Sequence, residues 1–246
     1  MEVISHMPSR LITVPIDGNG SDINAGALVM PGVTDETDRS VFILATSAAA
    51  DALGVLAELH DTSVSGDADP EAGTKYPLRG VIPINPGDLV AAELIDDADN
   101  DVDVASATST VITITSLEDD IEGSWCYVRA GTGVGQLGYI KASASGNFTL
   151  KNATGLTTLD STSKVLILRP IGWQLVEIDS TGRYIKSTAA AGALPWRVLR
   201  QEFRYQGSEN WTRLDPTIHH GLLLNGLSPK FRLILSPANT FMNPLD

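Results

Sequence analysis

A single cysteine, Cys126, stands among 246 residues. No intrachain disulfide can form, and with only four histidines no Cys/His cluster exists for a structural zinc site. Basic residues are scarce as well. Seventeen Lys and Arg against thirty Asp and Glu leave a formal charge of −13, which argues against a general nucleic-acid binder, because phosphate contacts need net positive surface. Long apolar runs are missing: the longest, such as Val41–Ala45 and Leu222–Leu224, are far too short to cross a bilayer. Residues Met1–Arg10 carry no basic stretch followed by an apolar core, so no signal peptide is expected. These absences describe a soluble chain made in the cytoplasm, without disulfides and without a membrane partner.

What is present points to a folded, turn-rich chain. Hydrophobic content of 43% with 19% charged residues is that of a packed protein rather than a disordered one. Twenty-two glycines and thirteen prolines supply many turns yet stay short of low complexity. The length suits one large domain or two small ones.

The net charge hides a division. Residues 1–122 carry 23 acids and 4 bases, whereas residues 123–246 carry 7 acids and 13 bases. Acids concentrate in Glu58–Glu122, where only Lys75 and Arg79 oppose them, and bases gather in Arg183–Arg232. Such a split suggests an internal contact between the halves or two outward faces with different partners. The plainer alternative is that most of these charges are solvated loop residues.

Strand signals dominate. Leu11–Ile16, Val41–Ala45, Asp88–Ile95, Thr110–Thr115, Trp125–Arg129, Leu137–Lys141, Asn147–Lys151 and Lys164–Arg169 are short, apolar or β-branched, and bounded by Gly, Pro, Asn, Asp or Ser. Their near-regular spacing suits sandwiches and small barrels. Ser47–Leu53 alone reads as a helix, with Ser47 as N-cap and Gly54 as its end, and Val55–His60 reads as the following strand. The expected class is all-β with little helix. Asp96–Asp103 is an acidic turn-forming stretch and Arg169–Gly172 a Pro/Gly break. Together they predict an outer β domain, sandwich-like or barrel-like, over 1–100 and 171–246, with a small β domain inserted at 101–170. Thr62–Thr74 reads as a surface loop, and Ser236–Asp246 as an extended tail that frays or docks on a neighbour.

Motifs that carry chemistry are incomplete. Gly131-Thr-Gly-Val-Gly-Gln136 has Gln136 where a dinucleotide fingerprint needs its third glycine, and a strand rather than a helix follows, so a flexible hairpin is expected. Asp97, Asp99, Asp101 and Asp103 alternate like the start of a calcium loop. Val102 replaces the turn glycine, however, and Thr108 the closing glutamate, which favours an acidic solubilising loop. His6, His60, His219 and His220 accompany neither a Gly-x-Ser-x-Gly elbow nor a His-Glu-x-x-His helix. Cys126, between Trp125 and Tyr127, reads as a buried structural residue, and the Asp119–Asp120 pair lacks nearby aromatics for a glycosidase site. No enzyme activity, metal or cofactor is expected.

Two aromatic–basic stretches stand apart, Trp196-Arg-Val-Leu-Arg-Gln-Glu-Phe-Arg-Tyr205 and Trp211-Thr-Arg213. Trp, Tyr and Arg combine large buried area with a polar handle, and Arg pairs bidentately with carboxylates. Arg197, Arg200, Arg204, Trp211 and Arg213, with Phe241 in the tail, are the expected contact residues. The competing reading is an amphipathic edge strand with its arginines in water.

Val128–Lys141, Asn147–Leu150 and Leu159–Ile167 together resemble a small β unit of tailed-bacteriophage virion proteins: a Gly-x-Gly-x-Gly-Gln hairpin, further strands, and an Asp-x-Thr-Ser lead into a closing strand. Ile23–Met30 and Ser47–Leu56 are similar to small β-rich decoration proteins of phage heads. The resemblance implies a structural virion protein on the outer surface of the capsid, stabilising it through contacts with the major capsid protein and assembling as a homotrimer. A tail or head–tail connection protein is the alternative, and a carbohydrate-active β protein a further one.

Overall fold

The structure is a computed structural model that describes residues 1–4, 11–16, 21–32, 42–45, 54–60, 78–85, 87–95, 101–108, 110–117, 121–151, 157–188, 193–224 and 226–237. Its regular elements are strands, numbered β1 to β18 in chain order, and they build three antiparallel sheets. The protein is all-β.

One sheet is drawn from a single stretch of chain. Its seven strands lie in the order β8 (Val102–Asp103), β14 (Lys164–Leu168), β11 (Trp125–Ala130), β12 (Leu137–Ala144), β13 (Asn147–Leu150), β10 (Val111–Thr113) and β9 (Ser106–Ala107). The unbroken apolar runs of β11 and β14 have a physical cause: both strands are buried on both faces. Trp125, Tyr127, Leu166 and Leu168 point into one core, while Cys126, Val128, Val165 and Ile167 point into another that also holds Ile112, Ile140 and Phe148.

A six-stranded sheet takes its strands from both sides of that stretch. Its order is β1 (Glu2–Ile4), β7 (Leu89–Glu93), β18 (Lys230–Ser236), β16 (Leu194–Arg204) and β15 (Gly172–Val176), with β17 (Thr212–Arg213) pairing the far end of β16. Five further strands form the third sheet: β2 (Ile12–Pro15), β6 (Leu78–Pro83), β5 (Gly54–Leu56), β3 (Leu28–Pro31) and β4 (Phe42–Leu44). Leu28 and Val55 of this sheet, Val90, Phe203 and Leu233 of the six-stranded sheet, and Trp125 and Leu137 of the seven-stranded sheet share one buried cluster. Gln201 ties two sheets at the backbone level, its Nε2 donating to Gly123 O at 3.0 Å and Arg169 O at 2.8 Å.

The expected strands are found at or near the anticipated positions, with one shortened. Of the expected strand Val55–His60 only Val55 and Leu56 lie in β5; residues 57–60 continue as an irregular connection, and His60 forms an isolated bridge with Ile23. Gly54 opens β5, because a Cβ there would lie 2.4 Å from Val81 Cγ1, too close for any side chain. Ser47–Leu53, Thr62–Thr74 and Asp119–Asp120 lie outside the described residues, as does the tail beyond Pro237.

Turns are closed by a repeated device. Asp160, Asp179 and Asp215 each accept hydrogen bonds from both the backbone N–H and the hydroxyl of a threonine two residues on, Thr162, Thr181 and Thr217. A short acidic side chain that satisfies the backbone ahead of it is the physical basis of such turns. Gly131-Thr-Gly-Val-Gly-Gln136 is bound into one of them: Thr132 Oγ1 donates to Asp160 Oδ2 at 2.7 Å, and Ser163 Oγ donates to Thr132 O at 2.8 Å. The glycine-rich hairpin is a packed turn, fastened to the loop that leads into β14.

Candidate functional site

The outward face of the six-stranded sheet collects the sequence-predicted arginines, and a β-bulge is what collects them. Up to Val198 the core residues of β16 are Leu194, Trp196 and Val198; beyond it they are Gln201 and Phe203. The pairing with β18 slips by one residue between Val198 and Arg200. That slip changes the parity of the outward positions, so Arg197, Arg200 and Arg204 share one face although strict alternation would separate them.

Across this face the register builds an ordered row. Glu93 on β7 stands opposite Arg232 on β18, Arg232 opposite Glu202 on β16, and Glu202 opposite Arg213 on β17. Charge alternates in sign across four strands, the favourable arrangement for directly opposed side chains. The next pair, Arg204 opposite Lys230, is of like charge. Glu93 bridges it, with Oε1 3.1 Å from Arg204 and Oε2 3.7 Å from Lys230. Glu202 serves a second pair of cations: its Oε2 accepts from Arg232 Nε at 2.7 Å, and its Oε1 lies 3.6 Å from Arg200. Two carboxylates thus hold four cations, one per oxygen. Trp211 packs with this lattice, with Arg232 and Arg204 guanidiniums 4.2 Å and 4.5 Å from its ring.

Arg197 and Arg213 are exposed and make no ion pair among the described residues. Arg197 sits opposite Trp173 on the edge strand β15. Trp173 and Leu175 on that flank are 64% and 46% exposed, beside the exposed Pro195. The face therefore runs from an apolar flank to a cation-rich centre, the residue types enriched in protein contacts. Phe241 lies outside the described residues.

The structure also places the charge division of the sequence. Arg129 with Asp101, Lys164 with Asp103, and Arg204 and Lys230 with Glu93 each join a base of the second half to an acid of the first. Part of the split is an internal contact. Asp101 and Asp103 of the calcium-like run are engaged in this way, while Asp97 and Asp99 fall outside the described residues. Among the described residues no group of three His, Cys, Asp or Glu is placed to hold a metal ion. Cys126 is buried and its thiol is pushed up to about 12 by desolvation, which leaves it protonated and unreactive at neutral pH. His219 and His220 fasten a turn, each accepting a backbone N–H through Nδ1, from Asp215 and Tyr139 respectively, at 2.9 Å.

Sequence reasoning singled out Arg204 and Trp211 but missed the residues that organise them, Glu93, Glu202 and Arg232. These lie far apart in the chain, and only strand register brings them together. Comparison with models of known protein families, with curated proteins and with solved structures finds no match.

Proposed function

We propose that the protein is a structural virion component that binds the outer surface of a phage capsid by protein–protein contacts, through the outward face of its six-stranded sheet. One observation carries this reading. In a chain of net charge −13, this face has more cations than carboxylates, and Trp173 and Leu175 stand exposed beside it. A partner with an acidic surface and a shallow apolar contact is the complementary match. The resemblance of Val128–Ile167 to virion proteins supports a capsid as that partner. A protein that binds only the assembled shell stabilises it by linkage.

The test is co-sedimentation with capsids lacking the protein. Arg197→Glu combined with Arg213→Gln changes two arginines that make no ion pair among the described residues without setting a carboxylate opposite Glu202, and an unchanged melting temperature shows that a loss of binding reports on the face rather than on folding. Wild-type chain is expected in the pellet and the double variant in the supernatant. Equal binding of the two removes this face from the contact, and absence of wild-type binding overturns the reading. Copies per particle separate a decoration protein, present in many copies, from a connector, present in few. Light scattering tests the trimer that the resemblance implies.

A further inference from the structure

Two pockets open side by side at the edge of the charged lattice, and both are walled by Glu93 and Tyr184. The first, of about 190 Å³, is lined further by Met1, Glu2, Ala91, Arg183 and Arg232, with the Met1 ammonium donating to Gly26 O and Arg183 O. The second, of about 220 Å³, is lined by Leu94, Ile95, Leu166, Pro229 and Phe231, with Lys230. The first is cationic, the second sets apolar walls beside Glu93 and Lys230, and Tyr184 is common to both.

The loop that supplies Arg183 and Tyr184 is held in place. Asp179 is buried and accepts the backbone N–H of Arg183 at 2.9 Å and of Tyr184 at 2.8 Å, besides the two bonds from Thr181. Gly182 donates to Asp179 O, and its own carbonyl accepts from Leu28 N, which anchors the loop to the five-stranded sheet. A slot fixed before binding loses little entropy when it is filled.

The charges in the first pocket are unevenly matched. Both oxygens of Glu93 are taken by Arg204 and Lys230, and both oxygens of Glu202 by Arg232 and Arg200. Glu2 is exposed to solvent. Arg183 is half-buried, stacks 5.4 Å from the Tyr184 ring, and has no ion-pair partner among the described residues. Arg232 engages Glu202 through Nε, which leaves its terminal nitrogens as further donors. The site offers guanidinium donors, and the carboxylate in its lining that no cation holds among the described residues, Glu2, is turned to solvent.

We infer that these pockets form a bipartite slot for an extended segment of a partner protein, with the carboxylate of an acidic side chain on Arg183 and Arg232 and a large apolar side chain between Leu166, Pro229 and Phe231. In an extended chain residues i and i+2 point the same way, about 7 Å apart, which fits adjoining pockets and gives an acid-x-apolar pattern. A nucleic-acid phosphate is the poorer match, because the chain's acidic total repels a polyanion and the second pocket offers Leu166, Pro229 and Phe231 beside the carboxylate of Glu93. This inference names the recognition chemistry of the docking face and rests on the reading of that face as a protein contact.

The test uses the full chain labelled with ¹⁵N and needs no capsid. Acetyl-Glu-Ala-Leu-amide is titrated while the Arg183 Nε–H and Tyr184 amide signals are followed, with acetyl-Gln-Ala-Leu-amide as the uncharged control. Saturable shifts at both groups are expected, with roughly tenfold weaker binding of the Gln peptide. Arg183→Ala is expected to abolish the preference for Glu while the spectrum elsewhere stays unchanged. Equal binding of the two peptides, no saturable shift with the Glu peptide, or stronger binding of an oligothymidylate at the same signals would each overturn the slot. Failure here leaves co-sedimentation with capsids untouched, whereas a bound peptide together with a failed co-sedimentation retains the slot and removes the capsid.

Discussion

Glu202 accepts a hydrogen bond from Arg232 Nε at 2.7 Å across two neighbouring strands, and their side chains are only 6% and 15% exposed. The pair is the buried centre of a face that is otherwise in water. Removing one member leaves a charge with little solvent to replace its partner. Glu202→Ala should cost about 3 kcal/mol in urea unfolding. A double-mutant cycle with Arg232→Ala should show strong coupling, because Arg232→Ala costs less once Glu202 is gone. Additive effects would mean that the pair does not act as a unit.

Two glycines with nearly the same backbone conformation separate strain from crowding. Gly131 has φ +78° and Gly207 φ +82°. A Cβ on Gly131 would lie 2.0 Å from Thr162 O, whereas a Cβ on Gly207 meets nothing within 4 Å. Gly207→Ala should cost about 1 kcal/mol from the left-handed conformation alone. Gly131→Ala should cost more than about 3 kcal/mol, since backbone on the Thr162 side must move as well. Thermal melts of the two variants give the comparison directly.

Cys126 should resist alkylation in the native protein. Its burial and a thiol pKa of about 12 leave almost no thiolate at pH 8. Intact mass after iodoacetamide treatment should show no adduct in buffer and one adduct in urea. Rapid labelling of the native chain would indicate that the core shared by Cys126, Ile112, Ile140 and Phe148 opens readily.

Acid should weaken the loop entering β14. Hydrogen bonds from the Thr162 hydroxyl, then the Thr132 hydroxyl, then the Thr162 backbone N–H hold Asp160 below the usual carboxylate range. A folded pKa below the unfolded one contributes stability that is present above the unfolded value, about 3.9, and is lost as pH falls through the folded value. The gap in melting temperature between wild type and Asp160→Ala should therefore stay constant above about pH 5 and narrow below pH 4. Asp215, lowered by Thr217, should behave in the same way.

Much of the strand content was legible because it rests on local composition. β11 and β14 announce themselves as unbroken apolar runs, which their burial on both faces explains. The parity of the arginines on β16 was not legible: alternation puts Arg197 and Arg200 on opposite faces, and only the bulge at Val198–Arg200 reverses this. Arg204 and Trp211 stand seven residues apart, in two neighbouring aromatic–basic stretches, whereas Glu93 joins Arg204 from more than a hundred residues away. Long-range register has no local signature. The Asp-Ser-Thr-Gly stretch at 179–182 does have one, as an aspartate-led turn, and it would have pointed to the loop carrying Arg183 and Tyr184.

The place of β18 sets the order of events in folding. The last described strand in the chain is inserted between β7 and β16, pairing Leu233 with Ala92 on one side and with Gln201 on the other. Until residues 230–236 have emerged from the ribosome, β7 and β16 both present a bare edge, and Phe203 waits without Phe231 beside it. The seven-stranded sheet, closed within 102–168, is free to form well before that. Folding is thus expected in two stages, and the interval between them is when the nascent chain is most exposed to edge-to-edge aggregation.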